Sequence, residues 1–395
     1  IVTDALEYLD NLAAQGDNPP ELQRELALAY QKVAQIQSSR GGANIGDASA
    51  AFENLQKAIK LQEALVWLNT AEVAKDKGTL AGLYLDVSER YSVNGDLENQ
   101  EAFARMALKL REELAITDPT DLALRSKIAS AKWAVAFAVR MRGDYDAANE
   151  LFLETAGIYE MLAAADENGR ATHLRNAALT YKTYGAGLEA RDNIEAALEF
   201  YQKALAIDEK NAEADPLNVS GQLDLSFTTS SIANALKRLG NFKEALRVVE
   251  RALEIQQKIT TDDAANGFAP AAYIRTLTAK AAILTELGKT VEAERDFKRS
   301  IELAEKISRD DPQDSDKKSL LSRSYAAIGE FYFKPVNVLK GARRKQTLHL
   351  AESYISKGIA ILEEMQSRQP LKRSSLDDLE RLRKELPGVR SELEN

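Results

Sequence analysis

The stretch Gly240-Asn241-Phe242-Lys243-Glu244-Ala245-Leu246 decides the fold. A glycine ends one helix, an asparagine caps the next, and good helix formers follow at once. Comparable turns stand at Gly46-Asp47, Gly95-Asp96, Gly143-Asp144, Asp192-Asn193 and Gly288-Lys289. The steps along the chain are 49, 48, 49, 48 and 48 residues. Three Asp-Pro dipeptides, at Asp118-Pro119, Asp215-Pro216 and Asp311-Pro312, mark breaks at twice that interval. The stretch Asp262 to Gly267 marks a further break between them.

Side chains keep the same period. Five residues past each turn stand Ala51, Gln100, Ala148, Ala197, Ala245 and Ala293. Nine past stand Leu55, Ala104, Phe152, Tyr201, Val249 and Phe297. The preceding helix has its own small position at Ala34, Ser88, Ala136, Gly185, Ala233, Ala281 and Gly329. Small residues let two helix backbones approach closely, and a large neighbour fills the adjoining hole. One such hairpin cannot bury its own apolar face, so hairpins stack. No alternating Val/Ile/Thr run calls for a strand.

This pattern resembles the tetratricopeptide repeat (TPR). Tyr181, Gly185, Ala197, Tyr201 and Ala204 carry it in the fourth hairpin, and Tyr325, Gly329 and Tyr332 in the seventh. The period of 48 exceeds the ~34 of that family, and the surplus is expected to lengthen both helices. The fold expected is therefore all-α: a right-handed α-solenoid of seven long TPR-like hairpins over residues 19–368. A flanking helix at 2–14 lies within an N-terminal segment 1–18. A charged capping helix at 375–386 lies within a tail 369–395. The seventh turn is read as an insertion loop over 334–346, and Pro387 as lying after the last helix. A narrower resemblance covers residues 4–10, 20–30 and 43–48. These look like the non-catalytic C-terminal repeat region of bacterial multidomain serine/threonine kinases, in which the kinase domain lies upstream.

Composition excludes several chemistries. The 395 residues include no Cys and two His, and carry 52 Lys+Arg against 61 Asp+Glu, a net charge of −9. Thiolate catalysis, iron–sulfur clusters, disulfides and zinc–cysteine sites are out, and no metal or cofactor is expected. The acidic balance argues against nucleic acid. No apolar run approaches the ~20 residues of a membrane helix. Lack of Cys suits cytoplasm and periplasm alike. The chain opens at Ile1 rather than Met, as a fragment of a longer protein would.

Catalytic candidates are thin. The Gly-rich run at 41–46 has no preceding strand and no phosphate-binding Lys, so it reads as an inter-helix turn. His173 is expected at a surface or helix start, and His349, flanked by Leu348 and Leu350, in the packing. Glu363-Glu364 and Asp377-Asp378 read as solvated helix surface. The basic run Lys340-Gly341-Ala342-Arg343-Arg344-Lys345 reads as a solvated loop, with a docking patch as the alternative.

TPR proteins bind peptides or partner domains in a groove lined by first helices, and some clamp a terminal carboxylate with Lys and Asn. Here only Asn234 matches the asparagine of that clamp. Ser230 stands where its lysine should be, so the clamp is not expected. Placing the sequence on the family's first-helix frame points instead to Lys182, Phe227, Asn234, Lys237, Arg275 and Arg323 as groove contacts. Such a basic and aromatic stripe would suit an acidic, partly apolar peptide. The competing reading is scattered surface charge. The function implied is a non-catalytic protein–protein scaffold, the docking or sensor arm of a bacterial signalling protein. Self-association of the module is the alternative, and an enzyme with a solenoid-borne site a minor one.

Overall fold

A computed structural model of the chain describes residues 2–15, 18–38, 48–262, 266, 268–335, 338–368 and 371–394. Among these residues there are sixteen α-helices and no strand. The chain divides into two compact units, Ile1–Arg191 and Asp192–Asn395. The first holds α1 (Val2–Ala13), α2 (Pro20–Ser38), α3 (Ala48–Leu68), α4 (Val73–Asn94), α5 (Leu97–Ala115), α6 (Leu122–Met141), α7 (Tyr145–Ala165) and α8 (Arg170–Ala190). The second holds α9 (Ile194–Ala214), α10 (Val219–Arg238), α11 (Phe242–Asp262), α12 (Ala269–Glu286), α13 (Thr290–Asp310), α14 (Ser315–Phe333), α15 (Gly341–Arg368) and α16 (Arg373–Glu394).

Within each unit every helix packs on its successor. The first helices of successive hairpins also touch: α4 with α6, α6 with α8, α10 with α12, α12 with α14, and α14 with α16. This is an all-α repeat solenoid in each unit. In the fourth hairpin read from sequence, α8 belongs to the first unit and α9 to the second.

The turns show why the chain bends on schedule. Gly95, Gly143, Gly240 and Gly288 all hold positive φ, between 73° and 93°. A side chain there would meet its own backbone, which is why glycine recurs. Asp192 fills the same place at φ 63°, a conformation that aspartate tolerates better than most residues. Each glycine N–H reaches back three residues, and the next N–H reaches back five, as in Asp96 to Tyr91 O and Asn241 to Leu236 O. The orphan carbonyls of the ending helix are thereby satisfied. The next helix is then capped: Asp96 accepts from the N–H of Asn99, and Asp144 from that of Ala147. The turn at Gly46-Asp47, the run 41–46 and Pro370 lie outside the described residues.

The small positions do close the packing. Ala34, Ala136, Ala233 and Ala281 are buried at 0–1% exposure. At Gly329 an added Cβ would stand 2.6 Å from Ile355 Cγ1. Leu26, Leu55 and Leu80 anchor one cluster across α2–α4, with Ala107 of α5 against them. Phe297, Ile328, Leu348, Ile355 and Leu379 join α13 to α16 in another. Fully burying such a side chain is worth ~1.5–3 kcal/mol, and this is what holds neighbour to neighbour.

A second device ties hairpins together. The Tyr30 hydroxyl donates to Asp10 at 2.7 Å, Tyr84 to Glu63 at 2.7 Å and Tyr181 to Glu160 at 2.7 Å. In the second unit Tyr325 donates to Glu305, and Thr228 to Asp208 at 2.5 Å. Each bond runs from a first helix back to the helix before it. Burial, and then the bond to the carboxylate, raises the pKa of all four phenols. The same frame position that gave the TPR resemblance at Tyr181 and Tyr325 thus carries a polar clasp.

Four expectations need correction. Residues 341–346 are not loop: α15 starts at Gly341, because Ala-Arg-Arg-Lys-Gln are strong helix formers. The basic run therefore opens a helix, and Arg344 bonds Glu392 of α16. The final helix continues to Glu394 with Pro387 inside it, since Leu382 and Val389 on either side are buried. Pro20 and Pro270 stand in first helical turns, where no donor is lost. His173 starts α8 as expected but is buried rather than on the surface. His349 is exposed, because adjacent helical residues diverge by ~100° and Leu348 takes the core.

Candidate functional site

In the second unit, α10, α12 and α14 put Phe227, Arg275 and Arg323 at one register, 48 residues apart. Phe227 is 39% exposed, a large ring left open on a helix otherwise packed with buried Leu223, Leu225, Ile232 and Leu236. Arg275 and Arg323 are also exposed. Arg323 Nε lies 2.6 Å from Asp378 Oδ2, so a carboxylate from α16 extends the series. The pKa of Arg275 is lowered, first by crowding protein atoms that thin its hydration and then by repulsion from Arg323, with Asp316 acting the other way. The guanidinium is crowded and yet solvent-accessible, which suits a second charged group arriving from outside.

The other expected residues lie elsewhere. Asn234 and Lys237 are half-buried on α10, two turns or more beyond Phe227. Lys237 stands in the last turn, where the helix C-terminus favours a cation on its own account. Lys182 is half-buried on α8 in the first unit. The structure therefore places Phe227, Arg275 and Arg323 at one register on successive first helices and leaves the other three outside that line.

Two features escaped the sequence reading. Asp377-Asp378 reads as plain helix surface, but Asp378 is the partner of Arg323 while Asp377 pairs with Arg373 of its own helix. In the first unit, Trp133 and Phe137 of α6 stack with centroids 5.4 Å apart, and the Arg140 guanidinium lies 4.9 Å from the Phe137 ring. Their signal was available: Trp133 and Phe137 flank the small Ala136 at the frame positions that line a first-helix face.

His173 Nε2 sits 3.1 Å from Asp166 Oδ2, which also accepts through Oδ1 from the Gly169 N–H, so the pair closes the α7–α8 loop. Among the described residues no group of three or more His, Asp or Glu is placed to hold a metal. A cavity of 390 Å³ between α15 and α16 is lined by Ile359, Ala360, Leu386 and Pro387. Its charges are already matched, Arg383 to Glu363 at 2.6 Å and Arg390 to Glu352 at 2.8 Å. No described helix is long and apolar enough to cross a membrane.

A tetratricopeptide-repeat family model matches residues 228–260. That stretch is most of the α10–α11 hairpin, including the turn at Gly240. No curated protein matches the sequence. Among solved structures, BtubC (BKLC) from P. vanneervenii is 17% identical over 65% of this chain and 91% of that one, with a TM-score of 0.51. The apo form of RapI is 14% identical over 82% of this chain and 97% of that one, at 0.51. The STAND signal-transduction ATPase PH0952 from Pyrococcus horikoshii, with its tetratricopeptide repeat sensor, is 16% identical over 95% of this chain and 54% of that one, at 0.52. At these identities the likeness is one of fold. The family match marks one tetratricopeptide repeat within residues 228–260, and the solved structures share the helical-repeat fold.

Proposed function

We propose that this chain is a non-catalytic interaction scaffold that receives a protein or peptide on the first-helix face of its second unit. The observation that carries the reading is the aligned, solvent-open series Phe227, Arg275 and Arg323 on three successive first helices. Interfaces take their anchoring energy from such aromatic and arginine groups. The resemblance of residues 4–10, 20–30 and 43–48 to kinase-associated repeats supports a finer reading, the docking or sensor arm of a bacterial signalling protein.

The test is capture of partners from a bacterial lysate by the intact chain and by the triple variant Phe227→Ala, Arg275→Gln, Arg323→Gln. Loss of roughly tenfold or more of a specific partner is expected. Equal recovery by a variant whose helicity is unchanged sinks the assignment of this face.

A further inference from the structure

The ion pair between Arg323 and Asp378 shows what this face accepts. Arg323 belongs to α14, and Asp378 belongs to the last helix, α16. Their atoms meet at 2.6 Å, with 44% of the arginine and 20% of the aspartate side chain still exposed. Arg275, one repeat earlier, feels the charge of Arg323. No carboxylate lies within ion-pair distance of Arg275 in the described residues. Arg323 is thus matched by an internal carboxylate in contact, whereas Arg275 has only the field of Asp316 acting on it from beyond ion-pair distance.

We infer that Asp378 is a built-in competitor: it occupies the guanidinium that would otherwise take an aspartate or glutamate of the docked partner. The inference rests on the docking reading above and names the partner's chemistry, an acidic segment with an apolar side chain for Phe227. An incoming carboxylate bridges Arg275 and Arg323, relieving the repulsion between them. To take the Nε edge of Arg323 in a bidentate pair, it must displace Asp378. Arg381 on the same helix pairs with Glu330 and Glu385, and Lys372 holds Asp316 at 2.6 Å. With Leu379 and Leu382 buried and Arg381 held by Glu330 of α14, the α16 helix stays docked when Asp378 lets go, giving up its bond to Arg323 and a longer 3.9 Å contact with Arg381. A partly exposed pair of this kind is weak enough for such an exchange.

The test uses the whole chain and fluorescein-labelled synthetic peptides with a cluster of Glu beside one Phe, matched by peptides with Gln for Glu. Asp378→Asn is expected to bind the Glu peptides roughly two- to fivefold tighter than the wild type, the size of the pair that is removed. Asp378→Glu keeps a competing carboxylate and stays near wild type. Asp377→Asn makes the same change in net charge but frees only Arg373, so it gains nothing. Arg323→Gln loses both the binding and the effect of Asp378→Asn. If the Glu peptides bind and Arg275→Gln weakens them, yet Asp378→Asn brings no gain, competition is wrong and docking stands. An equal gain from Asp377→Asn also overturns it, by reducing the effect to net charge. If no Glu peptide binds any form, the acidic-partner reading falls and this inference with it.

Discussion

Replacing Gly329 by alanine tests the principle on which the whole array is built. Gly329 is the small residue of α14, and its Cα faces α15. A Cβ there would lie 2.6 Å from Ile355 Cγ1, 3.3 Å from Ala351 O and 3.3 Å from Ile355 N. Ile355 is 1% exposed and Ala351 fully buried, so neither can step aside into solvent. Overpacking of this kind costs ~1–3 kcal/mol. Alanine regains about 1 kcal/mol of helix propensity, so the net effect is smaller. Gly388 supplies the control in the same unit, because a Cβ there meets nothing within 4 Å. Gly388→Ala should stabilise by about 0.5–1 kcal/mol, leaving a gap of roughly 1–3 kcal/mol between the two substitutions. Hydrogen exchange of the α14 and α15 amides reads this locally, which matters because repeat arrays need not unfold as one unit. A cycle with Ile355→Ala isolates the contact. That change alone costs about 2–5 kcal/mol and should cost less once Gly329 is alanine. If Gly329→Ala protects α14 as much as Gly388→Ala protects α16, close backbone approach is not what the small position is for.

Two further outcomes follow from the polar clasps. Tyr84→Phe keeps the edge-to-face contact with Phe103 at 5.6 Å but removes the hydroxyl from Glu63. A loss of ~1 kcal/mol is expected, because the exposed Glu63 regains water, and faster exchange in α3 and α4 would report it. Unchanged protection there would mean that the hydroxyl bond contributes nothing. Asp10 has its pKa lowered from 3.8, chiefly by the hydrogen bond from Lys57, with burial opposing and Tyr30 assisting. A depressed carboxylate contributes stability above its ordinary value and loses it as pH falls through the lower folded value. Pepsin should therefore cut α1 increasingly fast as pH falls below 3.8, and Asp10→Asn should flatten that dependence. An Asp10→Asn profile as steep as wild type would assign the acid sensitivity elsewhere.

The repeat was legible because its determinants are local and recur. Glycine at a left-handed turn and alanine at a close approach each reflect one steric fact, and six copies average out exceptions such as Gln100 at an alanine position. What failed was whatever depends on a partner distant in sequence. Holding the period fixed puts an insertion loop at 334–346, although 341–346 are helix formers and α15 simply starts early. Pro387 reads as a stop, but buried Val389 and the partly buried Leu393 beyond it hold the helix to α15 and α14. His349 has apolar neighbours in sequence and none of their orientation. In the candidate site, Phe227, Arg275 and Arg323 came from a frame of constant period, which the packed helices keep. Asp378 did not, because it lies 55 residues past Arg323, on the far side of the stretched α15.

The backward clasps bear on how such a chain can change length. Tyr84 finds its acceptor 21 residues upstream, and so does Tyr181. The two seams are copies of one another, displaced by two repeats. A recombination that excised residues 64–160 would set Tyr181 against Glu63 at the same spacing, with no partner to be reinvented. Inheritance can thus drop that pair of hairpins while the new junction is already compatible. Half-repeat changes would strand a buried phenol, so descent in steps of the full period is favoured by the seam itself.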